Sequence, residues 1–367
     1  MNTVLNETIK IPRKILKGAS MRTFIIAEAG VNHNGQPDLA FALIDAAVRA
    51  GVDAVKFQTF SAEKIVGKKA GKAAYQEAAT GPGSQYEMLK RLELSDDVHR
   101  ELMAYCKKEG VEFMSTPFDA EAADFLINEG MECFKIPSGE ITNHPFLRHL
   151  ASKNLPMIIS TGMSTLEEVN AAIAVIAQTR ASLKFDQPLT QMLTVLHCTS
   201  NYPTKMSDVN LRAMQTLADA TGMPIGYSDH TQGISVCSAA VALGARVLEK
   251  HFTLDRSMEG PDHKASLEPG ELTELVKQVR DIEQALGSAK KTPTDSEMEM
   301  RVLARRSVAA TVNLSPGDVL TEVHLSILRP ATGIEPQYYD ELLGRIVGRA
   351  VLAGAALQWD DLTRKPS

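Results

Sequence analysis

Between residue 22 and about residue 255, short apolar runs alternate with longer stretches whose apolar positions recur every three to four residues. The short runs are apolar on both faces, as strands covered on both sides of a parallel sheet should be. Eight are expected, at Thr23–Ala27, Ala54–Gln58, Glu112–Ser115, Cys133–Ile136, Met157–Ser160, Leu193–His197, Pro224–Tyr227 and Val247–His251. The longer stretches carry helix signals. Leu39, Leu43, Ile44 and Ala47 stripe one of them before Gly51, and another runs from Ser95 through Val98, Leu102 and Tyr105 to Gly110. Thr165 and Glu168 have the spacing of a capping box. After the eighth strand, Leu272, Leu275, Val276, Val279, Ile282 and Leu286 predict a long helix ending at Gly287. Eight parallel strands separated by helices close most economically into a (β/α)₈ TIM barrel, whose usual size is about 250 residues. An open doubly wound sheet is the alternative.

The pattern changes after this. Residues 289–304 are polar at first and lack strand periodicity, which predicts a linker between a barrel at 22–288 and a small unit at 305–367. Within that unit, Ser315–Leu320 with Leu325 is echoed by Leu352–Leu357 with Leu362, each read as strand, glycine turn and strand. A unit of about 60 residues has a marginal core and needs another surface to pack on. Residues 1–21 are expected to be an extension outside the barrel, without a signal-peptide pattern.

Composition narrows the function. A chain with 44% hydrophobic and 23% charged residues can bury a full core, and no apolar stretch approaches the ~20 residues that cross a bilayer. The four cysteines are scattered without a CxxC pair, so a reduced cytoplasmic protein is expected. The net charge of −6 argues against general nucleic-acid binding, which needs a basic face. Small anions remain possible ligands, because a few lysines converging in one pocket suffice.

In a TIM barrel the C-terminal strand ends carry function, and here nearly every one delivers polar residues. His230 and His251 end neighbouring strands, whose spacing of roughly 5 Å lets two imidazoles meet one metal ion with positions left for substrate oxygens. His33 and His263 lie in loops nearby. Lys56 and Lys135 sit within apolar strands, where an unpaired ammonium is expensive. Their partner is a phosphate or carboxylate ligand, a carbonyl substrate forming a Schiff base, or an internal carboxylate such as Glu28 or Glu140. Thr116, Ser138 and Ser160, each beside or near Gly or Pro, add hydroxyl donors. Together these groups suit a phosphorylated acid reacting with a carbonyl compound.

From residue 22 to residue 362 the chain resembles the sialic acid synthases. The resemblance rests on Ala27-Glu28-Ala29-Gly30-Val31-Asn32-His33-Asn34-Gly35, Val55-Lys56-Phe57-Gln58-Thr59, Ser115-Thr116-Pro117-Phe118 and Lys135-Ile136-Pro137-Ser138-Gly139-Glu140. It continues through Ser160-Thr161-Gly162-Met163, Tyr227-Ser228-Asp229-His230-Thr231, Glu249-Lys250-His251-Phe252-Thr253 and Gly260-Pro261-Asp262-His263. The C-terminal unit resembles the family's antifreeze-like (SAF) domain through Leu328-Arg329-Pro330-Ala331-Thr332-Gly333-Ile334.

The resemblance implies a condensation: C3 of phosphoenolpyruvate attacks the aldehyde of an open-chain N-acylhexosamine, water adds at C2, and phosphate leaves by C–O cleavage. It assigns a divalent ion, Mn²⁺ with Mg²⁺ or Co²⁺ as alternatives, to His230 and His251. Lys56, Thr116, Lys135, Ser138 and Ser228 would bind phosphoenolpyruvate, with Ser160 a further candidate. Glu28 would be catalytic and near the sugar, Gln58, Tyr202 and Asp262 would contact the sugar, and Glu249 would help deprotonate the attacking water. Arg329 would reach the sugar's N-acyl group from a second copy, in a domain-swapped homodimer. Ser200 stands where family members vary, and receives no role. Residues 72–88 favour N-acetylmannosamine as the sugar, with N-acetylneuraminate as product. The alternative is a diacetamido-trideoxyhexose leading to legionaminic or pseudaminic acid. A Schiff-base aldolase using Lys135, and an ice- or sugar-binding module without catalysis, are the readings from other classes.

Overall fold

In the computed structural model, residues 22–363 are described, so the expected extension at 1–21 lies outside the described residues. Eight parallel strands form one sheet: β1 Phe24–Gly30, β2 Ala54–Thr59, β3 Glu112–Pro117, β4 Phe134–Ile136, β5 Met157–Ser160, β6 Leu193–Cys198, β7 Ile225–Asp229 and β8 Val247–His251. Their order, β3-β2-β1-β8-β7-β6-β5-β4, pairs the first strand, β1, with the last, β8, and leaves β3 and β4 at the two ends. β3 and β4 at the two ends lie side by side without a hydrogen-bonded ladder, so the barrel closes with one seam. The open doubly wound sheet is excluded.

Strands β1, β2, β3, β6 and β7 run on past the ends that hydrophobicity predicts; in β1, β3 and β7 the added residues include Glu28, Thr116 and Ser228, buried in the ladder although polar. Side chains alternate between the two faces. Ile25, Ala27, Val55 and Phe57 point outward into the core shared with the helices. Phe24, Ile26, Ala54, Met114, Cys133, Ile158, Leu196 and Val247 fill the lower barrel. Gly226 is required there, since a Cβ would fall 2.4 Å from the Val247 carbonyl oxygen and 2.5 Å from Leu196.

The expected helices form with their expected ends. Helix Pro37–Ala50 stops at Gly51, at φ 78°, and Asp96–Glu109 is capped by Ser95 and stops at Gly110, at φ 77°. Thr165 and Glu168 close the capping box of Leu166–Ser182. Helix Pro269–Leu286 buries Leu272, Leu275, Val276 and Val279, each worth about 1.5–3 kcal/mol when removed from water. Between β2 and helix Asp96–Glu109, three short helices, Ala62–Ile65, Ala74–Thr80 and Gln85–Leu92, extend the strand-end loop. Met88 and Leu92 anchor this segment against Val31 and Phe60.

The chain divides after Gly287. The stretch expected to be a linker is partly helical, at Asp295–Ala304, because Thr294 and Glu297 form a capping box there. In the second unit β9 Ser307–Ala310 pairs antiparallel with β10 Leu325–Leu328. The internal duplication is present, but as paired turns rather than strand–turn–strand units. Gly317 and Gly354 turn with positive φ, and the short helical turns Glu322–His324 and Trp359–Asp361 occupy equivalent places. Leu314 bridges Val351, and Leu320 and Leu325 of one copy meet Leu357 and Leu362 of the other in one core.

Candidate active site

Strand register decides which polar side chains meet. Glu28 on β1 is the partner of Lys56 on β2 and of His251 on β8, while Ser228 on β7 faces Glu249 on β8. These residues line a cavity of about 490 Å³ at the C-terminal strand ends. Thirteen of the fourteen expected site residues border it, namely Glu28, Lys56, Gln58, Thr116, Lys135, Ser138, Ser160, Tyr202, Ser228, His230, Glu249, His251 and Asp262. The fourteenth, Arg329, belongs to the second unit, where it is exposed and directly follows β10.

The floor is a buried charge network. Lys56 Nζ lies 2.6 Å from Glu28 Oε2 and 3.5 Å from Glu249 Oε2, and donates to Thr116 Oγ1 at 2.9 Å. Lys135 Nζ is 3.3 Å from Glu249 Oε1, which also accepts from Ser228 Oγ at 2.8 Å. The internal partners of the two lysines are therefore Glu28 and Glu249. Glu140 is not one of them; it accepts from Asn143.

The two carboxylates are driven apart. Burial raises Glu28 to about 7; Lys56 opposes the shift and Glu249 adds to it. Burial pushes Glu249 upward as well, but Lys135, Lys56 and the Ser228 hydroxyl outweigh it and hold this carboxyl well below the usual range. Lys56 is raised because Glu249 and Glu28 overcome its burial, whereas burial lowers Lys135. One buried group thus titrates near neutrality beside one fixed anion, an arrangement that separates proton transfer from charge holding.

His230 and His251 stand with ring centroids 5.4 Å apart, and Tyr202 packs 4.1 Å from His230 and edge-on to His251. His230 Nδ1 donates to the Thr199 carbonyl at 2.6 Å, which leaves Nε2 with its lone pair. Burial keeps both imidazoles neutral. His251 Nδ1 is buried without a hydrogen-bond partner, 3.8 Å from Asp262 Oδ2. Two neutral imidazoles with unspent lone pairs fit a divalent ion, although no group of three metal-binding side chains converges among the described residues. Burial raises Asp262 to about 6.

On the other side, Ser160 Oγ is buried with no partner, and Ser138 Oγ accepts from Gly162 N at 2.9 Å. A Cβ at Gly162 would sit 2.2 Å from Ser200 Oγ and 3.0 Å from Ser138 Oγ, so the serines would have to turn aside. Ser200, given no role from sequence, borders the cavity, as does Cys198. So do Tyr75, Gln76 and Gln85 from the loop helices after β2, with Tyr75 stacked on Tyr202 at 5.5 Å. Strand-end logic misses these because they lie far from any strand. His33 and His263 are buried but do not line the cavity. His263 bonds Thr253 and Asn34, fastening the loop that carries Asp262.

A family model for the NeuB family matches residues 43–291, and one for the SAF domain matches residues 305–363. The chain is 50% identical over 347 residues to the N,N'-diacetyllegionaminic acid synthase of Legionella pneumophila, covering 94% of this chain and 96% of that protein. Over 336 residues it is 38% identical to the N-acetylneuraminate-9-phosphate synthase of Homo sapiens, covering 91% and 90%. A solved N-acetylneuraminic acid (sialic acid) synthetase from Leptospira borgpetersenii matches with a TM-score of 0.66 at 35% identity, over 76% of this chain and 90% of that one. Barrel, polar strand ends and SAF domain together define a phosphoenolpyruvate-dependent nonulosonic acid synthase. The chain belongs to the NeuB family. The Schiff-base aldolase and the non-catalytic binding module fall with that assignment. Among the described residues, no helix is long and apolar enough to cross a membrane.

Proposed function

We propose that this chain is a cytoplasmic enzyme that condenses phosphoenolpyruvate with a 2,4-diacetamido-2,4,6-trideoxyhexose and water, giving N,N'-diacetyllegionaminic acid and phosphate. The choice of sugar reverses the order drawn from residues 72–88. It rests on the 50% identity to a legionaminic acid synthase, against 38% to the human N-acetylneuraminate-9-phosphate synthase.

The observation that carries the chemistry is the buried Lys56 and Lys135 pair with its surrounding hydroxyls. Lys56, Lys135, Thr116, Ser138, Ser160 and Ser228 would hold the phosphate and carboxylate of phosphoenolpyruvate, and a buried ammonium is a strong partner for such an anion. Burial beneath the cavity mouth limits competing water. Gln58, Tyr202 and Asp262 face the sugar. His230 and His251 would hold a divalent ion, Mn²⁺ with Mg²⁺ or Co²⁺ as alternatives, which when bound polarises the aldehyde oxygen.

The structure favours a change of roles between the carboxylates. Glu249, held ionised by two ammonium groups and a hydroxyl, is a weak base and serves to anchor the lysines. Glu28, at about 7, can take up or release a proton at its Oε1, where Gln58 Nε2 donates at 3.3 Å. It is the better candidate to deprotonate the incoming water. A second copy would bring Arg329 to the sugar's N-acyl group in a domain-swapped homodimer, as the family resemblance implies.

Phosphate release by metal-stripped protein, with and without Mn²⁺, tests the reading. Release that needs both Mn²⁺ and the diacetamido sugar is the expected result. Release indifferent to metal would refute the roles of His230 and His251.

A further inference from the structure

On the outer face of the barrel, directly behind the two histidines, lies a second ion pair that the reaction does not touch. Lys250 Nζ is 2.7 Å from Asp229 Oδ2, and both side chains are 0% exposed. The same ammonium donates to the backbone carbonyl of Thr231. Asp229 in turn accepts from Thr231 N at 3.0 Å, from Thr231 Oγ1 at 3.1 Å and from Cys237 Sγ at 3.2 Å. Asp229 and Lys250 are register partners across β7 and β8.

Asp229 and Thr231 flank His230, and Lys250 precedes His251. Alternation sends 229 and 250 outward and turns 228, 230, 249 and 251 toward the cavity. One ammonium therefore grips the chain on both sides of His230 from the residue next to His251. At its other end His230 is fixed by Thr199, and its carbonyl accepts from Thr204 N at 2.8 Å. Among the described residues the His251 ring has no hydrogen bond at Nδ1; Asp262 Oδ2 stands 3.8 Å from it and Tyr202 lies edge-on. Its carbonyl accepts from Leu267 N at 2.9 Å, and the residue before it, Lys250, ties its strand to the chain on both sides of His230.

A buried ion pair is poor evidence of stability, because well-packed apolar residues often replace one without loss. We infer that Asp229 and Lys250 are positioning residues that set the spacing of His230 and His251 for a divalent cation. This inference rests on the proposed metal role of the two histidines.

The test measures Mn²⁺ affinity of the full-length protein directly, from the free-ion electron paramagnetic resonance signal, alongside phosphoenolpyruvate affinity and melting temperature. The Asp229→Leu/Lys250→Leu double variant removes both charges together. It should bind Mn²⁺ roughly 10–100-fold more weakly, the usual effect of losing groups that orient metal ligands. Phosphoenolpyruvate affinity should change less than threefold, which separates lost spacing from general damage to the barrel. If the double variant does not fold, Asp229→Asn/Lys250→Met is read the same way; it keeps both shapes without leaving one charge unpaired and should weaken Mn²⁺ several-fold. Mn²⁺ affinity within twofold of wild type in a folded variant overturns the inference. His251→Ala is the control: if it binds Mn²⁺ as wild type does, the metal role itself fails and the inference with it.

Discussion

Replacing Glu249 by Gln perturbs the network at its most connected point. The carboxylate lies 3.3 Å from Lys135, 3.5 Å from Lys56 and 2.8 Å from the Ser228 hydroxyl. Lys56 would keep Glu28 at 2.6 Å, but Lys135 would lose its ion pair while remaining 4% exposed. Breaking a buried pair from one side costs about 3–5 kcal/mol. For a barrel of this size that is a fall in melting temperature of roughly 10 °C. Neutralisation of Lys135, already lowered by burial, limits the loss. An anionic substrate would restore the missing charge, so phosphoenolpyruvate should raise the melting temperature of the variant more than that of wild type. At about 100 times its Kd a ligand stabilises by about 2.7 kcal/mol, well within reach of a thermal scan. The variant should bind phosphoenolpyruvate at least as tightly as wild type while kcat falls about 100-fold or more, since the lysines lose their anchor. A loss below about 1 kcal/mol with equal stabilisation of both proteins by phosphoenolpyruvate would refute the assignment of the lysines to the anion.

Glu28 makes a pH-dependent prediction. Its carboxyl is raised from 4.5 to about 7, so its contribution to stability is fully present below about pH 4.5 and is lost as pH rises through about 7. The difference is about 3 kcal/mol, and Glu28→Gln should flatten the stability profile between those limits; coincident slopes in denaturant titrations would contradict it. Lys135→Met should raise the KM for phosphoenolpyruvate by about 100-fold or more with little change in the KM for sugar, as loss of a charge-assisted contact predicts; steady-state kinetics with each substrate varied distinguish the two. Asp262→Asn should do the reverse, acting on the sugar KM. Arg329→Ala should weaken sugar use without lowering the melting temperature, and mixing it with His251→Ala protein should restore part of the activity if each copy completes the other's site.

Much of the fold was legible because its signals are local. Gly51, Gly110 and Gly287 end helices where their conformations or positions demand, and Thr165 with Glu168 opens one. Strand ends were less legible, since hydrophobicity stops at Ala27 and Tyr227 while the ladder carries Glu28, Ser228 and Asp229 into the interior. Asp262 and Arg329 came from the family resemblance alone, whereas Lys56, Lys135, Thr116, Ser138, Ser160, His230 and His251 could be chosen because the barrel rule turns a strand end into a direction. Their pairing could not, because it depends on register: Glu140, close in sequence to Lys135, bonds Asn143, and Lys135 meets Glu249 instead. Residues 72–88 were tied to the sugar only through the resemblance; that Tyr75 and Gln85 border the cavity could not be read from strand ends, since their approach depends on how three short helices fold back over the barrel mouth. The helix at Asp295–Ala304 was missed because its capping box begins within a polar stretch.

A competition between two sugars tests the substrate and the reaction together. The protein is given phosphoenolpyruvate, Mn²⁺ and equal amounts of N-acetylmannosamine and the 2,4-diacetamido-2,4,6-trideoxyhexose, and products are identified by mass spectrometry, so that the ratio reports relative kcat/KM. N,N'-diacetyllegionaminic acid as the dominant product, formed with one phosphate per molecule, is the predicted result. Dominant N-acetylneuraminate would contradict the choice of sugar, and phosphate release without either nine-carbon acid would contradict the condensation itself.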